Sequence, residues 1–296
     1  LAILRIPLID FVALAGCGLA WGLTPTVVKF AGQSGVQVIA FSALQAAAAA
    51  LILGVVLLAR RQRLRPDAHH LVFCLVQGAV GMGVPNMLLF LGMRHVPAGL
   101  FGLMAPVSPA LTALALALLG TETVTRRVWL GSVVAFAGVA LAMAPGASLP
   151  TLATLPWAAL LLLVPGCYAL SNVVAATWRP AGTDSVALAC FTLLACAAVL
   201  LPLALVAGHL VAPPAGWGAA LPWIAVQGAL QATAFLLFFR LMGRRGGVFT
   251  SQVGYIVTLS GLLWGMALFG ESHGWLTLPA VALVLLGLWL VTMPRR

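Results

Sequence analysis

Uncharged hydrogen-bonding side chains recur inside the long apolar runs of this chain, and their spacing groups them. Gln227 and Gln231 stand four residues apart, as do Tyr168 and Asn172, and Ser251, Tyr255 and Thr258 follow an i, i+4, i+7 stripe. On a helix the members of each set share a face. Amides, hydroxyls and a phenol donate and accept hydrogen bonds without bringing charge into a low-dielectric interior. Three such stripes converging on one place would hold a small polar solute by both its donors and its acceptors. Gln77 and Asn86 add two more amides, and Trp21 and Trp264 add apolar walls with a polar edge. The competing reading is a set of interhelical hydrogen bonds worth about 0.6–2 kcal/mol each. That reading is the default for single Ser and Thr residues. For the Tyr168/Asn172 and Gln227/Gln231 pairs both readings stand.

Other chemistries find little support. The five acidic residues are Asp10, Asp67, Glu122, Asp184 and Glu271, and none falls in the middle of an apolar run. A proton relay at membrane depth would need one. The five histidines lie in loops or at the ends of runs, so a Ser–His dyad within the membrane is not expected. The five cysteines sit inside apolar runs without metal-ligand spacing and read as small packing residues. No metal, no cofactor and no enzymatic activity is expected.

The elements that carry the polar groups are set by composition. Hydrophobic residues make up 63% of the chain and charged residues 7%, against about 25% charged in a soluble domain. Apolar runs lie near 8–30, 36–58, 70–94, 97–119, 126–146, 155–177, 185–207, 219–242, 247–270 and 275–293. Each is long enough to cross about 30 Å of hydrocarbon as a helix. A spanning segment must satisfy its own backbone, and these runs are too long for barrel strands, so the expected class is an all-α integral membrane protein of ten helices. The net charge of +10 does not point to nucleic acid, because the basic residues lie between the runs and form no separate domain. With a cytoplasmic N-terminus, thirteen of the fifteen Lys and Arg residues fall inside, and only Lys29 and Arg94 fall outside. Both termini are therefore expected in the cytoplasm, as in a multi-pass protein of a bacterial inner membrane.

The runs repeat. "VQGAV" at 76–80 returns as "VQGAL" at 226–230, "LALLGTE" at 116–122 as "MALFGE" at 266–271, and Gly138 answers Gly287. Each half holds five spans, 1–146 and 155–296, with 147–154 as the linker. Five is odd, so the second half enters the membrane from the opposite side, which makes an inverted-topology repeat suited to alternating access. Polar residues mark spans 1, 3, 4, 6, 8 and 9 as the lining of a central cavity. Spans 5 and 10 are nearly bare and are expected at the periphery, and Gln45 in an alanine-rich helix is expected there too. Pro25, Pro85, Pro106, Pro109 and Pro165 each remove a backbone donor and favour a kink, so they are candidate hinges. Glu122 and Glu271, mates at the ends of spans 4 and 9, would cap or orient the helix after them, or help close a gate.

Three stretches carry a family resemblance. "AWGLTPTVVK" at 20–29 resembles the first helix of the drug/metabolite transporter superfamily, EamA-like branch. "PAGLFGLMAPVSPALTALALALLGTE" at 97–122 and "GGVFTSQVGYIVTLSGLLWGMALFGE" at 246–271 resemble the ends of its two repeats. Thr121, inserted between Gly120 and Glu122, departs from the pattern of the second copy. The resemblance implies a ten-helix exporter of small metabolites, often amino acids. The first helix has no glutamate in mid-span, which disfavours proton-driven export of cationic drugs. The expected partners are a small-molecule substrate and the lipid bilayer, with the protein a monomer or homodimer. A transporter of other cargo, and a membrane enzyme or sensor, remain as alternatives.

Overall fold

The computed structural model describes residues 8–61, 66–92, 107–122, 124–143, 155–269 and 277–292, which form helices and the turns between them. Pro106, Glu271 and the expected linker at 147–154 lie outside the described residues. The helices are α1 (Leu8–Gly22), α2 (Thr24–Gly32), α3 (Val38–Ala59), α4 (Ala68–Gly78), a π-helical turn (Ala79–Gly83), α5 (Val84–Gly92), α6 (Val107–Leu118), α7 (Arg126–Met143), α8 (Leu155–Thr177), α9 (Ser185–Val206), α10 (Trp217–Ser251), α11 (Val253–Phe269) and α12 (Thr277–Thr292). Among the described residues six segments are long and apolar enough to cross a bilayer, and shorter apolar helices lie at Val107–Leu118 and Leu278–Val291. Large apolar side chains such as Leu58, Val206 and Leu278 are exposed on the outside of the bundle. In water such a surface would aggregate, and in lipid it is solvated.

The protein is an all-α, ten-span membrane protein. α1 with α2 makes the first span, α3 the second, α4 through α5 the third, α6 belongs to the fourth, and α7 is the fifth. In the second half α8, α9, α10, α11 and α12 take the corresponding places. The helices meet in mated pairs: α3 packs on α9 and α7 on α12, while α3 on α10 is matched by α9 on α4, and α1 on α11 by α8 on α6. These contacts of one half against the other recur with the halves exchanged, as a two-fold axis requires.

Close glycine contacts give the sense of that axis. Gly131 of α7 lies against Gly287 of α12, and Gly138 lies against Ala280. Position rises along one helix as it falls along the other, so these mates run antiparallel and the repeat is inverted. A Cβ on Gly131 would come 2.7 Å from the Gly287 carbonyl oxygen, and one on Gly138 would come 2.8 Å from that of Ala280. Small residues suit this contact because they let the backbones approach closely, and that packing helps hold helices together in lipid.

Local breaks trace to particular residues. Pro85 cannot donate to the Gly81 carbonyl, and the chain widens there into the π-helical turn, in which Val84 N–H donates to the Ala79 carbonyl. Pro25 lies in the first turn of α2, where a missing N–H costs nothing within that helix. Pro165 sits inside a continuous α8. Pro109 falls in the first turn of α6 and is buried. Asp67 and Asp184 cap α4 and α9, accepting from His70 N–H at 2.9 Å and Val186 N–H at 3.2 Å. Gln45, expected at the periphery, is instead buried, because the small side chains of α3 let α9 and α10 cover it.

Candidate functional site

The recurring glutamines are joints between the halves. Gln77 on α4 donates through Nε2 to the Ser171 carbonyl at 2.8 Å, and the Ser171 hydroxyl donates back to Oε1 at 2.6 Å. Gln227 on α10 donates through Nε2 to Thr24 Oγ1 at 2.8 Å. Both glutamines are buried. The partners are mates as well: "WGLT" at 21–24 matches "YALS" at 168–171, so Thr24 corresponds to Ser171. One tie therefore occurs twice, joining span 3 to span 6 and span 8 to span 1.

One turn along, the two sides part. Gln231 lies one turn after Gln227, and its Oε1 accepts the Trp21 indole N–H at 2.7 Å. The indole is held by Phe235 and Phe238, with ring centroids 5.4 and 5.8 Å away. The repeat places Tyr168 where Trp21 stands and Gly81 where Gln231 stands. Gly81 is glycine for a steric reason, since a Cβ there would lie 2.7 Å from the Ser171 hydroxyl oxygen. Tyr168 is half-buried and packs with Leu88, Leu89, Trp157, Leu161 and Val164. Asn172, one turn further along α8, donates through Nδ2 to Thr112 Oγ1 at 3.2 Å, and Thr112 donates to the Ser108 carbonyl at 2.8 Å.

Other singled-out residues are placed differently. Asn86 on α5 is half-buried. Trp264 on α11 is half-buried too and reaches the Leu19 carbonyl of α1 at 3.4 Å. The expected stripe on span 9 does not point one way. Ser251 bonds back to the Val248 carbonyl, Thr258 to that of Gly254, and Tyr255, fully buried, donates to the Ser132 carbonyl of α7 at 3.1 Å. Tyr255 thus anchors α11 to the fifth span. The turn at Gln252 explains the scatter. Bonds from Gln252 N–H to Phe249 and from Tyr255 N–H to Gln252 tighten the helix there and rotate α11 relative to the end of α10. Among the described residues no group of three His, Cys, Asp or Glu side chains could hold a metal ion.

Comparison with known proteins decides the family. The model of the EamA-like transporter family matches twice, over residues 8–144 and 155–293. The chain belongs to that family. It is also similar to a Streptantibioticus cattleyicolor protein named "Probable terminal-alkyne amino-acid exporter", with 30% identity over 295 residues, covering 93% of this chain and 86% of that one. A solved crystal structure superposes with a TM-score of 0.81 at 19% identity, covering 96% of this chain and 98% of the other, a likeness of fold.

At one end this EamA-like transporter gathers its described acids among arginines. Glu122, expected to serve the next helix in its own half, instead caps the ninth span of the other half, accepting from Gly247 and Val248 N–H. Gly246, at φ 79°, makes the break that exposes those donors. Asp10, buried at the start of α1, accepts from Arg245 Nε at 2.7 Å and pairs with Arg244 at 3.3 Å. Neither link was legible in sequence, because the partners lie more than a hundred residues apart. On the same end His70 joins Asp67 to Thr183 across the halves, with 2.7 Å on each side. The His70 side chain, and after it the His70 backbone N–H, hold the Asp67 carboxyl below its ordinary value.

Proposed function

We propose that this EamA-like transporter exports small neutral or aromatic amino acids and similar metabolites across a bacterial inner membrane by alternating access. Its halves would be 1–146 and 155–296, with both termini cytoplasmic and the arginine-rich end facing inward. The observation that carries the reading is the pair of uncharged amides on neighbouring helices, Gln231 and Asn172, each tied at one end and unbonded at the other among the described residues. Such groups suit a zwitterion, whose two charges cancel and need donors and acceptors more than counter-charges. The Streptantibioticus relative, named a probable terminal-alkyne amino-acid exporter, supports the substrate class. Trp21, Tyr168 and Trp264 offer apolar walls for the side chain.

The described carboxylates, Asp10, Asp67, Glu122 and Asp184, all engage arginine, histidine or backbone N–H groups at the arginine-rich end. This placement of the described carboxylates supports transport down the substrate gradient or by exchange. Purified protein in liposomes, given radiolabelled leucine or phenylalanine, should show saturable uptake that unlabelled amino acid competes away. Uptake no faster than in empty liposomes for every amino acid tried would remove the proposal.

A further inference from the structure

Resting on the proposed export of amino acids, we infer that Gln231 takes the carboxylate of the substrate and Asn172 takes its ammonium group. Trp21 and Thr112 act as the positioning residues that fix this assignment. Hydrogen-bond direction separates the two amides. An indole N–H only donates, so the Gln231 atom 2.7 Å from it must be the amide oxygen. The NH₂ end of Gln231 is then left as a pure donor. Thr112 has one hydroxyl proton and gives it to the Ser108 carbonyl, so it can only accept from Asn172. One N–H of the Asn172 amide is thereby used, which fixes the amide with its oxygen free as a pure acceptor.

Both free ends are within reach of a solute. Gln231 is 6% exposed and Asn172 is 8% exposed. Neither Gln231 Nε2 nor Asn172 Oδ1 is among the buried polar atoms that lack a partner, so each opens on accessible space. The two also lie at nearly one depth. Phe73 meets the Phe239 ring tilted and the Trp178 ring edge-on, with centroids 6.2 and 6.4 Å away, so both residues lie in the layer of that one ring. From that level Gln231 is eight residues up α10 and Asn172 six up α8, or about 12 and about 9 Å at the helical rise. α8 and α10 pack against each other, and packed helix axes stand about 8–10 Å apart. An α-amino acid with a hydrogen bond of about 2.8 Å at each end bridges about 9 Å.

The test compares three competitors of leucine uptake in liposomes: leucine itself, its decarboxylated amine, and its deaminated acid. Gln231→Glu replaces the donor by a negative acceptor of the same shape. It should weaken leucine and the acid more than tenfold relative to the amine. Asn172→Leu removes the acceptor and should weaken leucine and the amine more than tenfold relative to the acid. Trp21→Phe and Thr112→Val release the two amides without removing them, and should raise KM about fivefold with kcat changed less than twofold. Trp21→Phe should have no further effect when Gln231 is already Glu. If either main variant fails to run as a single species in detergent, the two positioning variants read the same ratios. Ratios that move together, or in the reverse sense, would overturn the assignment while leaving amino-acid export standing. Absence of leucine uptake by the unsubstituted protein would instead fail the functional reading on which it rests.

Discussion

Two walls of the protein are copies in frame and differ in chemistry. Where span 8 meets span 1, Gln227 holds Thr24, and one turn on Gln231 holds Trp21. Where span 3 meets span 6, Gln77 holds Ser171, and one turn on stands Gly81. The shared turn is the joint that any two such halves need. The differing turn cannot belong to the frame, because the mate does without it, and so it is the better candidate for recognising a solute. The comparison also separates Asn172 from packing duty, since Pro25 occupies the matching place and can offer no amide.

Exchanging the differing residues gives the largest expected effect. Gly81→Gln would force a side chain into the space of the Ser171 hydroxyl, 2.7 Å from its first carbon, and overpacking of this kind costs about 1–3 kcal/mol. Its yield of folded protein in detergent should fall severalfold. The reverse exchange, Gln231→Gly, should fold with near-normal yield and lose more than nine-tenths of amino-acid flux. Equal loss of folding in both would erase the distinction between the walls.

Removing the joints should give a middle effect. Gln77 makes two bonds to Ser171, whereas Gln227 makes one to Thr24 and its oxygen has no partner among the described residues. Gln77→Leu should therefore lower stability by about 2 kcal/mol and Gln227→Leu by about 1 kcal/mol or less, read as thermal midpoints in detergent.

The smallest effect concerns the clasp at Asp67. A carboxyl whose value is lowered on folding contributes stability above its unfolded value, and that contribution disappears as pH falls through the folded one. The thermal midpoint should thus decline slightly on acidification below the usual carboxylate range. Asp67→Asn should flatten that decline, and an unchanged slope would mean that the His70 bond is broken in solution.

Much of the frame was legible because it is written locally. Apolar runs, the period of five spans and the matched "VQGA" segments need no knowledge of contacts. The site was legible only in part. The i, i+4 pairs on spans 6 and 8 were readable from helical spacing, yet the same rule misread span 9, where the turn at Gln252 sends Tyr255 toward Ser132. The buried Asp10 and its arginines had no periodic signal at all.

By itself the sequence determined that this is a ten-helix membrane protein of two opposed halves, because hydrophobic length and repetition are properties of a single stretch of chain. Only the tertiary structure decided which end of each amide is free. An amide has a donor side and an acceptor side, and its partner chooses between them. For Gln231 that partner is 210 residues away, and for Asn172 it is 60. Folding brings those pairs together and so turns interchangeable amides into one donor and one acceptor.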